Sequence, residues 1–144
     1  METYNNKGQS LFEVVIAMAL ISIVLITLVA MASVSIRATV FSRNQTQATK
    51  LTEQAYEWLR NEKDANWATF DTHASTANWC LDSLYWQKGN VCSALDIISG
   101  TIFTRSLKFT KNADSSISAD LKTTWTDAQG SHTVATSIIF TNWQ

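Results

Sequence analysis

The chain contains no proline, so nothing in it removes a backbone donor from the interior of a long helix. Glycine is almost as scarce, with four in 144 residues. Scattered as Gly8, Gly89, Gly100 and Gly130, they cannot assemble a phosphate-cradling loop from local sequence. Histidine occurs twice, as His73 and His132, and neither stands in a GxSxG, HExxH or similar constellation. Asp71-x-His73 offers two metal-capable side chains, too few for a site. Net charge is also missing: eleven basic residues face twelve acidic ones, a balance without the basic excess that a polyanion partner demands. These absences exclude the common catalytic schemes. The chain is read as a non-enzyme without cofactor or metal, and nucleic acid is not an expected partner.

What the chain has in excess is one apolar run. From Val14 to Ile36, 23 residues pass without a charged side chain. As a helix they would extend roughly 35 Å at about 1.5 Å per residue, enough for a hydrocarbon core of about 30 Å. Ser22, Thr27, Ser33 and Ser35 interrupt it, but a hydroxyl in a helix can bond the carbonyl one turn earlier. The run is apolar on all sides, as a helix facing lipid or packed in a bundle must be.

Glu13 stands at the mouth of this run. A carboxylate there is expensive unless it stays interfacial, is neutralised or meets a cation, although a helix N-terminus does favour negative charge. The preceding residues give it a setting. Gly8-Gln9-Ser10-Leu11-Phe12-Glu13 resembles the class III signal of type IV prepilins: a short polar leader, glycine at the cut, Ser/Thr-Leu, an apolar residue, glutamate, then a long apolar helix. The resemblance implies cleavage after Gly8 by a prepilin peptidase, methylation of the new N-terminal residue Gln9, and Glu13 as an assembly residue. It further implies other pilin subunits as partners and the cytoplasmic membrane as the site of insertion, with a head outside the cytoplasm and later on a filament or the cell surface. Gln9 departs from the Phe or Met usual at that position. The absence of a mid-helix proline departs from many major pilins.

Two rivals read the same stretch differently. A secretory signal with an Ala30-Met31-Ala32 site would release a chain starting at Ser33, but its apolar region should span only about 7–15 residues. An uncleaved signal anchor is the other. Lys7 precedes the helix while Arg37 and Arg43 follow it, so charge counting alone favours the opposite orientation. The motif outweighs that count here.

Beyond Ile36, apolar residues recur as Phe41, Ala48, Leu51, Ala55, Trp58 and Leu59, one face of an amphipathic helix. The periodicity predicts that the helix continues to about Lys63, one rod of about 80 Å. Residues 61–100 show no clear period. A segment this long is functional or pinned; a disulfide between Cys80 and Cys92, favoured over two free thiols, with a turn at Lys88-Gly89-Asn90 inside it, would pin it. Such a bridge suits an extracytoplasmic domain. The loop aromatics read as core beneath the loop, or alternatively as a platform for glycan, peptide or DNA on a signal-anchored binding module. The last third alternates. Phe103, Leu107 and Phe109 face inward with Arg105 breaking that face. Ile117, Ala119, Leu121, Thr123 and Trp125 form a second strand. Asp127–Gly130 turns, and Val134, Thr136, Ile138 and Phe140 form a third. Three antiparallel strands with one face to bury are expected.

Tyr56-Glu57-Trp58-Leu59-Arg60 followed by Asp64 is similar to the E-x-x-R-x-x-x-D stretch of PilV-like minor pilins and type II secretion minor pseudopilins. Trp125-Thr126-Asp127 resembles the hairpin of the same group. The expectation is therefore an α+β, pilin-like protein: leader 1–8, membrane and filament-core helix 9–36, and a head over 37–144.

Overall fold

The computed structural model describes residues 7–86, 89–93 and 95–142, with residues 7–10 in backbone only. The leader up to Asn6 and Lys88 of the expected turn lie outside the described residues. The chain divides into two compact units, Met1–Arg43 and Asn44–Gln144. The elements in order are α1 (Lys7–Ala65), α2 (Trp67–Ala74), β1 (Asn78–Cys80), β2 (Thr104–Lys111), β3 (Ile117–Asp127) and β4 (Gly130–Phe140). The fold is α+β: a long N-terminal helix and a small antiparallel sheet.

In the first unit the described residues are all helical. In the second, the Asn44–Ala65 part of α1 packs on a four-stranded antiparallel sheet of order β1-β2-β3-β4. Ala48, Thr52, Ala55 and Leu59 form its buried stripe, each at most 2% exposed. The spacings of four, three and four are helical periodicity. Leu51 and Trp58, expected in that stripe, flank it and are half-buried, while Phe41 is exposed. Ala55 and Leu59 meet Leu107, Phe109, Ile117, Ala119 and Leu121 in the main core. Ala48 meets Phe103 and Trp125 in a second cluster.

Thr52 is the polar member of the stripe and ties helix to sheet. Its hydroxyl donates to Ala48 O at 2.9 Å and lies 2.8 Å from the Thr123 hydroxyl on β3. A hydroxyl has one proton, so Thr123 donates to Thr52. Both residues are almost wholly buried, where an unmet hydroxyl is costly.

The structure corrects the sequence reading in three places. Arg105 does not break the inward face of its strand: it points inward with Phe103, Leu107 and Phe109 and is 2% exposed. The buried guanidinium is stabilised by two main-chain carbonyls, Leu81 O from Nε at 3.1 Å and Leu51 O from Nη1 at 2.9 Å. The sheet has four strands, because Asn78–Cys80 pairs with Ser106–Lys108. The segment 61–100 contains a second helix, started by Asn66, whose backbone is extended and whose side-chain Oδ1 accepts Thr69 N at 2.9 Å, an ordinary N-cap. The β3–β4 hairpin turns through Ala128-Gln129, with Gly130 at φ +127, a region that favours glycine.

The shared hydroxyls make an asymmetric prediction. Thr123→Val leaves Thr52 bonded to Ala48 O and should cost about 0.5–1.5 kcal/mol. Thr52→Val strands the Thr123 proton in the core and should cost about 1–3 kcal/mol. The double variant should be less destabilised than the two singles summed. Urea unfolding of the detergent-solubilised protein measures this; strict additivity would show that the hydroxyls are not coupled.

Candidate functional site

The described part of the apolar run begins at Leu11, and its side chains face outward. Seventeen large apolar residues between Leu11 and Ile36 are each 44–71% exposed. None of the most apolar 18-residue stretch is buried, and the helix is long and apolar enough to cross a membrane. Three of the four hydroxyls in the apolar run bond within the helix. Ser22 Oγ donates to Met18 O at 2.8 Å, Thr27 Oγ1 to Val24 O at 2.8 Å and Ser33 Oγ to Val29 O at 3.0 Å. Such a surface suits hydrocarbon or another apolar helix, since Ser22, Thr27 and Ser33 present no unmet donor.

Gly8 and Gln9 lie at the N-terminal end of α1, and Glu13 follows in the same helix with its side chain exposed among Leu11, Phe12 and Val14. Residues 3–29 match the family model of the prokaryotic N-terminal methylation motif. The N-terminus carries a prepilin-type motif. The match spans Gly8, Gln9 and Glu13 and ends at Val29, inside the apolar run. It assigns nothing beyond Val29. No curated protein and no solved structure matches the chain.

In the second unit the structure joins Cys80 to Cys92 in a disulfide, with 4.9 Å between their Cα atoms. Cys80 ends β1 and is buried. Immediately after it, Leu81 N donates to Arg105 O at 2.8 Å, while the Arg105 side chain returns to Leu81 O. Disulfide and guanidinium thus fasten the start of the 81–92 loop to β2, and Nη1 extends the clasp to α1. Burial holds the guanidinium down at about 10, against the opposing pull of Asp82. It stays charged at neutral pH.

The loop aromatics point into the core. Trp86 lies 4.6 Å from Trp58 and 4.9 Å from Trp79, stacks on His73 at 4.4 Å, and donates Nε1–H to Glu62 Oε2 at 2.7 Å. Trp79 Nε1 donates to His73 O at 3.1 Å. Tyr85 is the exposed ring of the loop, at 53%. The arrangement is packing beneath a loop and offers no flat aromatic platform. Asp71 pairs with Lys111 at 2.6 Å, so Asp71 and His73 of the weak metal pair have structural neighbours. Among the described residues no group of three or more His, Cys, Asp or Glu side chains converges.

The Trp125-Thr126-Asp127 stretch acquires a physical role. Asp127 Oδ1 accepts Gln129 N at 2.8 Å and lies 2.9 Å from His132 Nε2, closing the hairpin. The bond to His132 holds the Asp127 carboxyl below its usual range. A lowered folded value means the stabilisation is present above the unfolded carboxyl pKa of about 3.9 and is lost as pH falls through the lower folded value. Asp64, at the end of the Glu57–Asp64 stretch, is likewise lowered, first by its bond to Lys63 at 2.7 Å. Glu57 and Arg60 are exposed on α1.

The disulfide spans a sequence separation of 12, and closing such a loop contributes roughly 3 kcal/mol in the chain-entropy model. Reducing it should lower the thermal midpoint of the detergent-solubilised protein and release Trp86, read as a change in tryptophan fluorescence. Identical midpoints with and without reductant would show that the loop is held without the bridge.

Proposed function

We propose that the protein is a structural subunit of the minor pilin or pseudopilin kind. It is cut after Gly8, methylated on Gln9 and assembled through its N-terminal helix into a type IV pilus-like or secretion-like filament. The supporting observation is the coincidence of two features: the methylation motif over residues 3–29 and an apolar helix with outward-facing side chains from Leu11 to Ile36. A processing motif alone would fit any anchored protein. An apolar surface of this length suits cover by lipid first and by other helices later. On this reading residues 1–8 are leader, 9–36 the filament-core helix and 37–144 the extracytoplasmic head, and the protein performs no catalysis. Trp79 is buried, and Trp58 and Trp86 pack half-buried against the same core as Phe70 and Phe109, which argues against an aromatic binding platform.

Glu13 has a defined task in this scheme. In a helix bundle its carboxylate enters hydrocarbon, where an unpaired charge costs several kcal/mol. The amino terminus created on Gln9 is the nearest cation that cleavage supplies, and it exists only after the cut. The pairing, within one chain or with a neighbour, favours one axial register of helix against helix.

Two substitutions separate processing from assembly. Gly8→Val should leave the precursor uncut in the membrane, seen as unchanged mobility on a gel in cells that contain the peptidase. Glu13→Val should insert and be cut normally yet fail to enter sheared filaments, or to prime them. Normal incorporation of the Glu13→Val protein would reduce Glu13 to an interfacial charge and overturn the assembly role.

A further inference from the structure

The sheet has two unequal edges. β1 is three residues long, whereas β4 runs for 11 residues, about 37 Å at roughly 3.4 Å per residue. Its only sheet neighbour among the described residues is β3. Exposed edges are ordinarily defended by Lys, Pro, a bulge or brevity. β4 has none of these. Gly130–Phe140 contains no Lys, Arg, Asp, Glu or Pro, and its register with β3 is unbroken from Asp127↔Gly130 to Ile117↔Phe140. Asp127↔Gly130 closes a two-residue turn and is a hydrogen-bonded pair in such hairpins. The even-numbered residues therefore bond β3. Ser131, Thr133, Ala135, Ser137 and Ile139 direct N–H and C=O outward, and all five are exposed.

A groove runs beside this edge on the helix side. Thr49, Glu53 and Tyr56 of α1 and Val134, Thr136 and Ile138 of β4 line it. Three of the four β4 residues in its lining, Val134, Thr136 and Ile138, recur at every second position, as the side chains of an added strand would; Ser137 is the fourth. Glu53 is the one charged residue in the lining.

We propose that β4 is a strand-addition site. It takes an extended segment of another protein as a fifth strand, with apolar or β-branched residues at every second position and one basic side chain over Glu53. Main-chain bonds to the five outward residues supply the binding, and the groove selects the side chains. A second copy of this chain is a poorer occupant. Its β4 contains no Lys or Arg, so antiparallel β4–β4 pairing would bring no strand cation to Glu53.

The test uses the full chain in detergent micelles, whether or not it is processed, so its outcome is separate from that of the cleavage experiments. The ligand is a synthetic nine-residue peptide alternating valine and threonine with one lysine; a control peptide carries glutamate in place of the lysine. Amide exchange at Ser131, Thr133, Ala135, Ser137 and Ile139 should slow at least tenfold with the lysine peptide. The lysine peptide should bind at least threefold more tightly than the glutamate peptide, and Glu53→Gln should abolish that preference. Ala135→Lys, which keeps the fold but charges the edge, should weaken the lysine peptide at least tenfold. Absence of protection would overturn the proposal. So would equal binding of the two peptides to the wild-type chain. Protection without peptide that grows with protein concentration would make a second copy the occupant and overturn it as well.

Discussion

Everything in this chain answers to the apolar surface between Leu11 and Ile36. Full burial of one large apolar side chain contributes about 1.5–3 kcal/mol. Seventeen of them, 44–71% exposed, therefore leave on the order of 20 kcal/mol of transfer free energy unclaimed. That exceeds the net stability of most small domains, about 5–15 kcal/mol. No adjustment within the head could compensate for such a surface in water. The helix is long and apolar enough to lie in a membrane or against other helices, and the methylation motif stands at its start. The lack of proline and the internally bonded Ser22, Thr27 and Ser33 are the conditions under which a helix can occupy both environments unchanged.

The second unit meets a different demand: a small sheet must hold on to the end of that helix. Packing of Ala48, Ala55 and Leu59 provides the area, but apolar contact alone does not fix register. Two polar ties do. The Thr123–Thr52–Ala48 relay joins β3 to the middle of the helical stripe. The Arg105 clasp joins β2, the disulfide loop and the Leu51 carbonyl. A guanidinium suits this place because its planar fork reaches two carbonyls at once. Buried donors of this kind lose more when misplaced than they gain when placed, which favours a single docking of helix on sheet.

Much of this was legible because it is periodic. Twenty-three uncharged residues announce a helix, and strict alternation from Ile117 to Trp125 announces a strand with one buried face. The stripe of Ala48, Ala55 and Leu59 was visible too, although its polar member Thr52 was not, since a threonine's burial depends on a partner far away in sequence. Arg105 was misread for the same reason: a charge on an inward position looks like a break until the carbonyls that satisfy it are brought near by the fold. The second helix left a readable trace, Asn66 as cap and Trp67, Phe70 and Ala74 at spacings of three and four. Aromatics on its other neighbours, Trp79 and Trp86, blurred that trace. β1 was beyond reach. Three residues carry no period, and their pairing with Ser106–Lys108 is fixed by the disulfide and by the Leu81 bonds to Arg105. At the N-terminus the motif is local in sequence, so the match over residues 3–29 needs no fold.

The mass of the mature N-terminus tests the central claim most directly. In membranes of cells that contain prepilin peptidase, the protein should begin at Gln9, one methyl group heavier than the unmodified residue, with Met1–Gly8 gone. A chain that still begins at Met1 would make it a plain membrane anchor. One that begins at Ser33 would make it a secreted domain, and either result would contradict the account.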